Sequence, residues 1–176
     1  MSLTGRELWA LVHGIGLGGL FLLAFAGGMA GLYSLRPELV TAQGIRERMR
    51  RLDLGAWGMA LVAWATVITG TFVVYPWYRA KPPEGANLAD YPRYFLLASD
   101  SLKAWHGFGM EWKEHVAWFA PILATAVAFI VWKYGAQLAE DDRLRRFVML
   151  IFMLAFIAAA IAGLFGALIT KAAPIL

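Results

Sequence analysis

The chain has 176 residues, of which 60% are apolar before its 18 Gly are counted and only 16% are charged. That apolar share exceeds the half or so usual for a soluble domain and points to a single membrane domain. The absence of Cys excludes disulfides, Cys-ligated zinc, iron–sulfur clusters, covalent c-type haem and thiol catalysis together. A net charge of +4 reads here as membrane topology, with no nucleic acid among the expected partners.

A transmembrane helix needs about 20 predominantly apolar residues, because lipid satisfies no backbone polar group. Four stretches qualify, at about 8–33, 55–75, 115–132 and 147–170. The expected fold class is an all-α integral membrane protein: a four-transmembrane-helix up-and-down bundle, one membrane domain over 1–176. The first stretch is too long for a signal-peptide core of roughly 7–15 residues, so it is kept as a span. Nine of the 16 Lys and Arg fall in the connections after spans one and three, among them Arg36, Arg46, Arg48, Arg50, Arg51, Arg143, Arg145 and Arg146. The positive-inside rule puts those connections in the cytoplasm, both termini outside, and the long loop 76–114 outside as well. The expected location is a prokaryotic inner (plasma) membrane, crossed several times. Within the loop, the sequence from Tyr94 to Trp105 predicts a short interfacial helix capped by Ser99 or Asp100 and ended by Gly107.

All three histidines then lie toward the outer side. His13 sits about five residues, or roughly 7 Å, below the outer surface. His115 opens the third span at matching depth, and His106 lies in the loop above. In an up-and-down bundle, helices one and three are diagonal and parallel, so two imidazoles at one level suit a bis-His haem iron. An ionisable residue inside a membrane is a functional candidate by default. Gly16 beside His13 would let a flat macrocycle approach, and Phe119 and Ile122 share the predicted face of His115 as an apolar wall. Arg79 and Lys171 are cations placed to neutralise propionates. His106 with Met110 offers a second, mixed-ligand site, or His106 alone contacts a propionate or quinone.

Other readings of the same residues stay open. A histidine in a span can simply hydrogen-bond a neighbouring helix, as Thr66 or Thr69 would permit. His106, Glu111 and His115 supply nitrogen and oxygen ligands for copper, zinc or iron. Glu111, Lys113 and Glu114 also read as the hydrated first turn of span three, complementing the positive helix end. Gly27 and Gly31, and Ala155, Ala159 and Gly163, are spaced as helix-packing stripes. Pro121 predicts a kink that frees the carbonyl of Ala117.

Four spans, a His near the outer end of the first, another opening the third and no Cys resemble membrane-embedded b-type cytochromes, the haem-bearing subunits of respiratory oxidoreductases. The resemblance is one of architecture plus His13 and His115. Members commonly carry four histidines for two haems, and this chain has three. It implies one haem b ligated by His13 and His115 near the outer face, and electron transfer with a quinol, a periplasmic redox protein or other subunits of a membrane complex. The alternatives are a cofactor-free membrane subunit that docks a partner through the aromatic loop from Tyr75 to Trp112, and a His/Glu metal-binding membrane protein.

Overall fold

In the computed structural model, which describes residues 3–36 and 41–174, the chain is all-helical among the described residues. Four helices are long and apolar enough to cross a membrane: α1 (Gly5–Tyr33), α2 (Gln43–Tyr78), α4 (Trp105–Glu140) and α5 (Asp142–Ala172). A short helix α3 (Pro92–Leu97) lies in the connection between α2 and α4. Residues 37–40 of the first connection, and the terminal residues 1, 2, 175 and 176 on which the expected position of the termini bears, lie outside the described residues.

The helices extend well past the apolar stretches, because hydropathy marks the part of a helix that sits in lipid and not its ends. Thr41 caps α2 by accepting a hydrogen bond from the Gly44 amide at 3.2 Å, so the basic run 43–54 is helical. Thr4 and Glu7 form a reciprocal capping box at the start of α1, at 2.7 and 3.2 Å. Asp141 breaks the chain between α4 and α5 and takes the amides of Arg143 and Leu144.

Three expectations are overturned. The predicted loop 76–114 shrinks to 79–104, since α2 runs on to Tyr78 and α4 starts at Trp105. The predicted 94–105 helix is instead Pro92–Leu97. It ends before Ser99, whose hydroxyl bonds to Ser101, and Gly107 lies inside α4. The interruption expected at Pro121 comes one turn earlier, at residues 116–118, leaving Pro121 in the first turn of the helical run that follows. There its missing N–H costs nothing. The Ala117 carbonyl is not freed, for it accepts from the Ala120 amide at 3.1 Å.

α1 packs against α2 and α5, α2 against α4, and α4 against α5. Helices α1 and α4 are therefore diagonal. The main core joins all four through Phe21, Phe25, Met59, Val127, Val131 and Phe152. Phe25 packs edge-on to Phe152 at 4.7 Å and stacks on Phe156 at 4.2 Å. A second core at the other end, made of Tyr78, Leu96, Met110, Ile169 and Ala173, ties the 79–104 connection onto the bundle. That end is called the lid end below, and the opposite one the turn end. Of the small-residue stripes, Ala155 is fully buried and fits the packing reading. Gly27 and Gly163 face open space.

Candidate functional site

Spans of this composition leave few places for chemistry. Residues 14–32, 54–74, 116–132 and 147–170 contain no Asp, Glu, Lys, Arg or His. Arg145 enters the bundle at the turn end, and a larger set of ionisable groups gathers at the lid end. The same end holds three wide π-helical segments, Val12–Leu17, Gly70–Val74 and Trp105–Met110, one in each of three spans. Such segments insert an extra residue into a helical turn and are frequent at functional sites. Here they carry His13, Gly70 and His106.

His13 is half-buried and turned toward α2. Its Nδ1 lies 3.4 Å from Thr69 Oγ1. Its ring fills the space a side chain at position 70 would take, since a Cβ there would meet Cε1 at 2.6 Å, Nε2 at 3.2 Å and Nδ1 at 3.3 Å. Glycine at 70 is thus what lets the imidazole lie against the α2 backbone. Gly70→Ala is expected to lower stability by about 1–3 kcal/mol through overpacking. Thermal unfolding in detergent should show this loss, and the loss should largely vanish in a His13→Ala background.

The charged neighbour of His13 comes from α4. Lys113 is half-buried, with protein atoms crowding its ammonium, which donates to the carbonyl of Ala162 on α5 at 3.3 Å. A Cβ at Gly166 would come within 2.5 Å of Lys113 Nζ, so the side chain occupies the slot that this glycine leaves. The ammonium is near enough to act electrostatically on His13. Next to it in sequence, Glu114 buries its Oε1 with no hydrogen-bond partner and faces Tyr75 of α2. The Tyr75 ring stacks on Tyr78 at 6.1 Å, and the Tyr78 hydroxyl shares a hydrogen bond of 2.9 Å with Nδ1 of His106. His106 is buried, at 9% exposure. Arg79, Arg93 and Glu111 act on this outer part of the cluster. The polar groups run from His106 through Tyr78 and Tyr75 to Glu114, and the preceding residue, Lys113, acts on His13; every spanning helix touches the set.

The residues expected to hold a haem do not come together in this way. His115 points off the bundle with 71% of its side chain exposed, donating through Nδ1 to the Glu111 carbonyl at 2.9 Å and lying 3.5 Å from that residue's carboxylate. Lys113, two residues earlier and so about 200° round the helix, is the α4 residue that meets His13. Gly16 faces outward with only the Leu11 carbonyl near it, and Phe119 and Ile122 are 55% and 50% exposed. Arg79 is exposed beside the Tyr75 ring, and Lys171 is exposed near the end of α5. Met110 is buried in the lid-end core while His106 is engaged by Tyr78, so the two do not form a mixed pair. A bis-histidine haem does not fit this arrangement. Among the described residues no group of three or more His, Cys, Asp and Glu is placed to hold a metal ion, the set His106, Glu111 and His115 included.

Lys113 and Glu114 are the residues of this cluster that the sequence alone places in a hydrated first turn. Their helix begins eight residues before Lys113, at Trp105, so the pair lies inside the span. The signal for Lys113 is the small pair Ala162 and Gly166 on α5, one turn apart, which makes room for a long side chain from α4.

No family profile, no curated protein and no solved structure matches the chain.

Proposed function

We propose that this chain is a multi-pass protein of a prokaryotic plasma membrane whose work is to take up and release protons in the polar cluster at its lid end. The positive-inside rule supports placing that end outside, since the basic residues concentrate at the turn end. The observation that carries the reading is the neighbourhood of Lys113 and Glu114. Consecutive residues of α4 supply an ammonium turned to α5 with one carbonyl partner and a carboxylate turned to Tyr75 of α2 with one oxygen unpartnered, next to apolar stretches 116–132 and 147–170 that hold no charge. Groups of this kind within a membrane bundle face its interior and mark proton relays or ion paths. Glu114 is the proton-accepting group on this reading. Lys113, the preceding residue, holds a positive charge turned toward α5, and His13, with Thr69 behind it, ends the series within the bundle.

The test is infrared difference spectroscopy of the purified protein between acid and alkaline pH. A carboxyl band that appears with protonation, disappears in Glu114→Gln and shifts in Lys113→Met is the expected result. A spectrum unchanged by Glu114→Gln would overturn the proposal. A reduced-minus-oxidised visible spectrum of the same preparation separates the haem reading: b-type bands that are lost in His13→Ala would favour it.

A further inference from the structure

If the lid-end cluster handles protons, the next question is where they come from and where they go, and the packing below the cluster bears on both. We infer that the cluster is a blind, one-sided proton well, reached from the lid face through the His106–Tyr78 pair and closed toward the turn end by a dry plug of packed side chains. This rests on the proton-handling reading above and adds the side from which the site is served.

The open side follows from the order of groups. His106 and Tyr78 belong to the part of the bundle that meets the 79–104 connection, with Arg79, Arg93 and Glu111 as charged neighbours. From Tyr78 the stacked phenol of Tyr75 leads to Glu114. Glu114 acts on Tyr75 and Tyr78 of α2 and on His106 of α4, as does Arg93 of the connection; Arg79 acts on Tyr75 and His106, Glu111 on Tyr78 and His106, and Lys113 on His13 of α1. α5 contributes the Ala162 carbonyl and Gly166. In one event a proton from water at the lid face is passed along this row, through the His106–Tyr78 hydrogen bond and past the stacked Tyr75 ring by way of water, and binds a Glu114 oxygen. It leaves by the same row, and no other bond is made or broken.

The closed side follows from what is missing beneath. From His13 to the end of α1 at Tyr33 is about 30 Å of helix with no ionisable group before Tyr33 itself. Three hydroxyls in the neighbouring spans are occupied by their own helices: Thr66 donates to the Val62 carbonyl at 2.8 Å, Thr69 to Ala65 at 2.7 Å and Thr125 to Pro121 at 2.7 Å. The centre is filled by Phe21, Phe25, Met59, Val127 and Phe152, all buried. A proton cannot cross such packing without a chain of water or exchangeable groups.

The experiment uses proteoliposomes sorted by orientation. Since the chain has no Cys, one introduced as Glu84→Cys in the 79–104 connection reports which face is outward. A pH jump is then applied on one side while the other is buffered, and the Glu114 carboxyl band is followed. The band should respond when the jump is applied at the lid face and stay unchanged when it is applied at the turn face. Potassium-driven proton leak with valinomycin should equal that of protein-free vesicles. A response from the turn face, or a leak above that of protein-free vesicles, overturns the one-sided well and leaves the proton-handling reading intact. A band that answers from neither side overturns both. Should Glu114→Gln fail to fold, Tyr75→Phe serves to assign the band by shifting it.

Discussion

Replacing Arg145 with methionine is expected to cost about 3–5 kcal/mol. Arg145 lies in the first turns of α5 and is only 5% exposed. One of its terminal nitrogens, Nη1, donates to the carbonyls of Leu35 at 2.8 Å, Leu138 at 3.0 Å and Ala139 at 3.4 Å, while the other engages Asp142. Leu35 follows the end of α1, and Leu138 and Ala139 belong to the last turn of α4, whose carbonyls have no partner within their own helix. A single guanidinium therefore closes two helix ends and binds both to the start of a third. Leu35, Leu138 and Ala139 are themselves buried, so water cannot replace the lost donor. Each carbonyl left bare costs about 1–3 kcal/mol, offset in part by the desolvation that Arg no longer requires. Arg145→Lys keeps the charge but not the planar fork, and should fall between wild type and Arg145→Met. Thermal unfolding in detergent checks the order. An unchanged midpoint in Arg145→Met would mean that the connections hold the bundle without this clamp.

The four spans were legible because lipid demands long apolar runs, but their rotation was not. In a soluble helix the polar face reveals which side is buried. In these spans both faces are apolar, and the contrast is one of size. Ala120, Ala124, Val127 and Val131 face the core of α4, while Phe119, Ile122, Phe129 and Trp132 face outward. Taking His115 as core-facing selected Phe119 and Ile122 as a cavity wall and turned Lys113 away. The buried phase carried back from Ala120 at about 100° per residue puts Lys113, Gly109 and His106 inside and His115 outside. The histidines drew attention as ligand types, yet one of the three is spent on the surface, and the polar groups the bundle does gather include a lysine and a glutamate. His13 was legible as a residue of interest, and its hydroxyl partner Thr69 was among those expected for a structural histidine. Gly70 gave no warning, because a glycine in an apolar span carries no sign of what lies against it.

Lys113→Met should make the protein more stable while shifting the response of its site. Methionine has nearly the same length, bends into the slot over Gly166, and needs neither a counter-charge nor hydration. The wild-type ammonium has one carbonyl in exchange for its water, and a lysine held inside a membrane bundle costs up to about 2.5–3.5 kcal/mol at the centre, less toward an end. Because Lys113 is only half-buried and lies near the lid end, a gain of about 1–2 kcal/mol is the expected size, read as a raised thermal midpoint. A second pair of substitutions isolates the contact. Gly166→Ala sets a methyl group 2.5 Å from the ammonium, the far end of a flexible side chain that can swing aside, so it should cost under about 1 kcal/mol in the wild type and nothing measurable in Lys113→Ala, where the obstructed group is gone. The direction of the Lys113→Met change is decisive. A lysine kept to brace α4 against α5 would lower the midpoint when replaced. A lysine kept for its charge beside Glu114 raises the midpoint on replacement and alters the carboxyl band, the exchange of stability for activity expected where a working group is held in an unfavourable place.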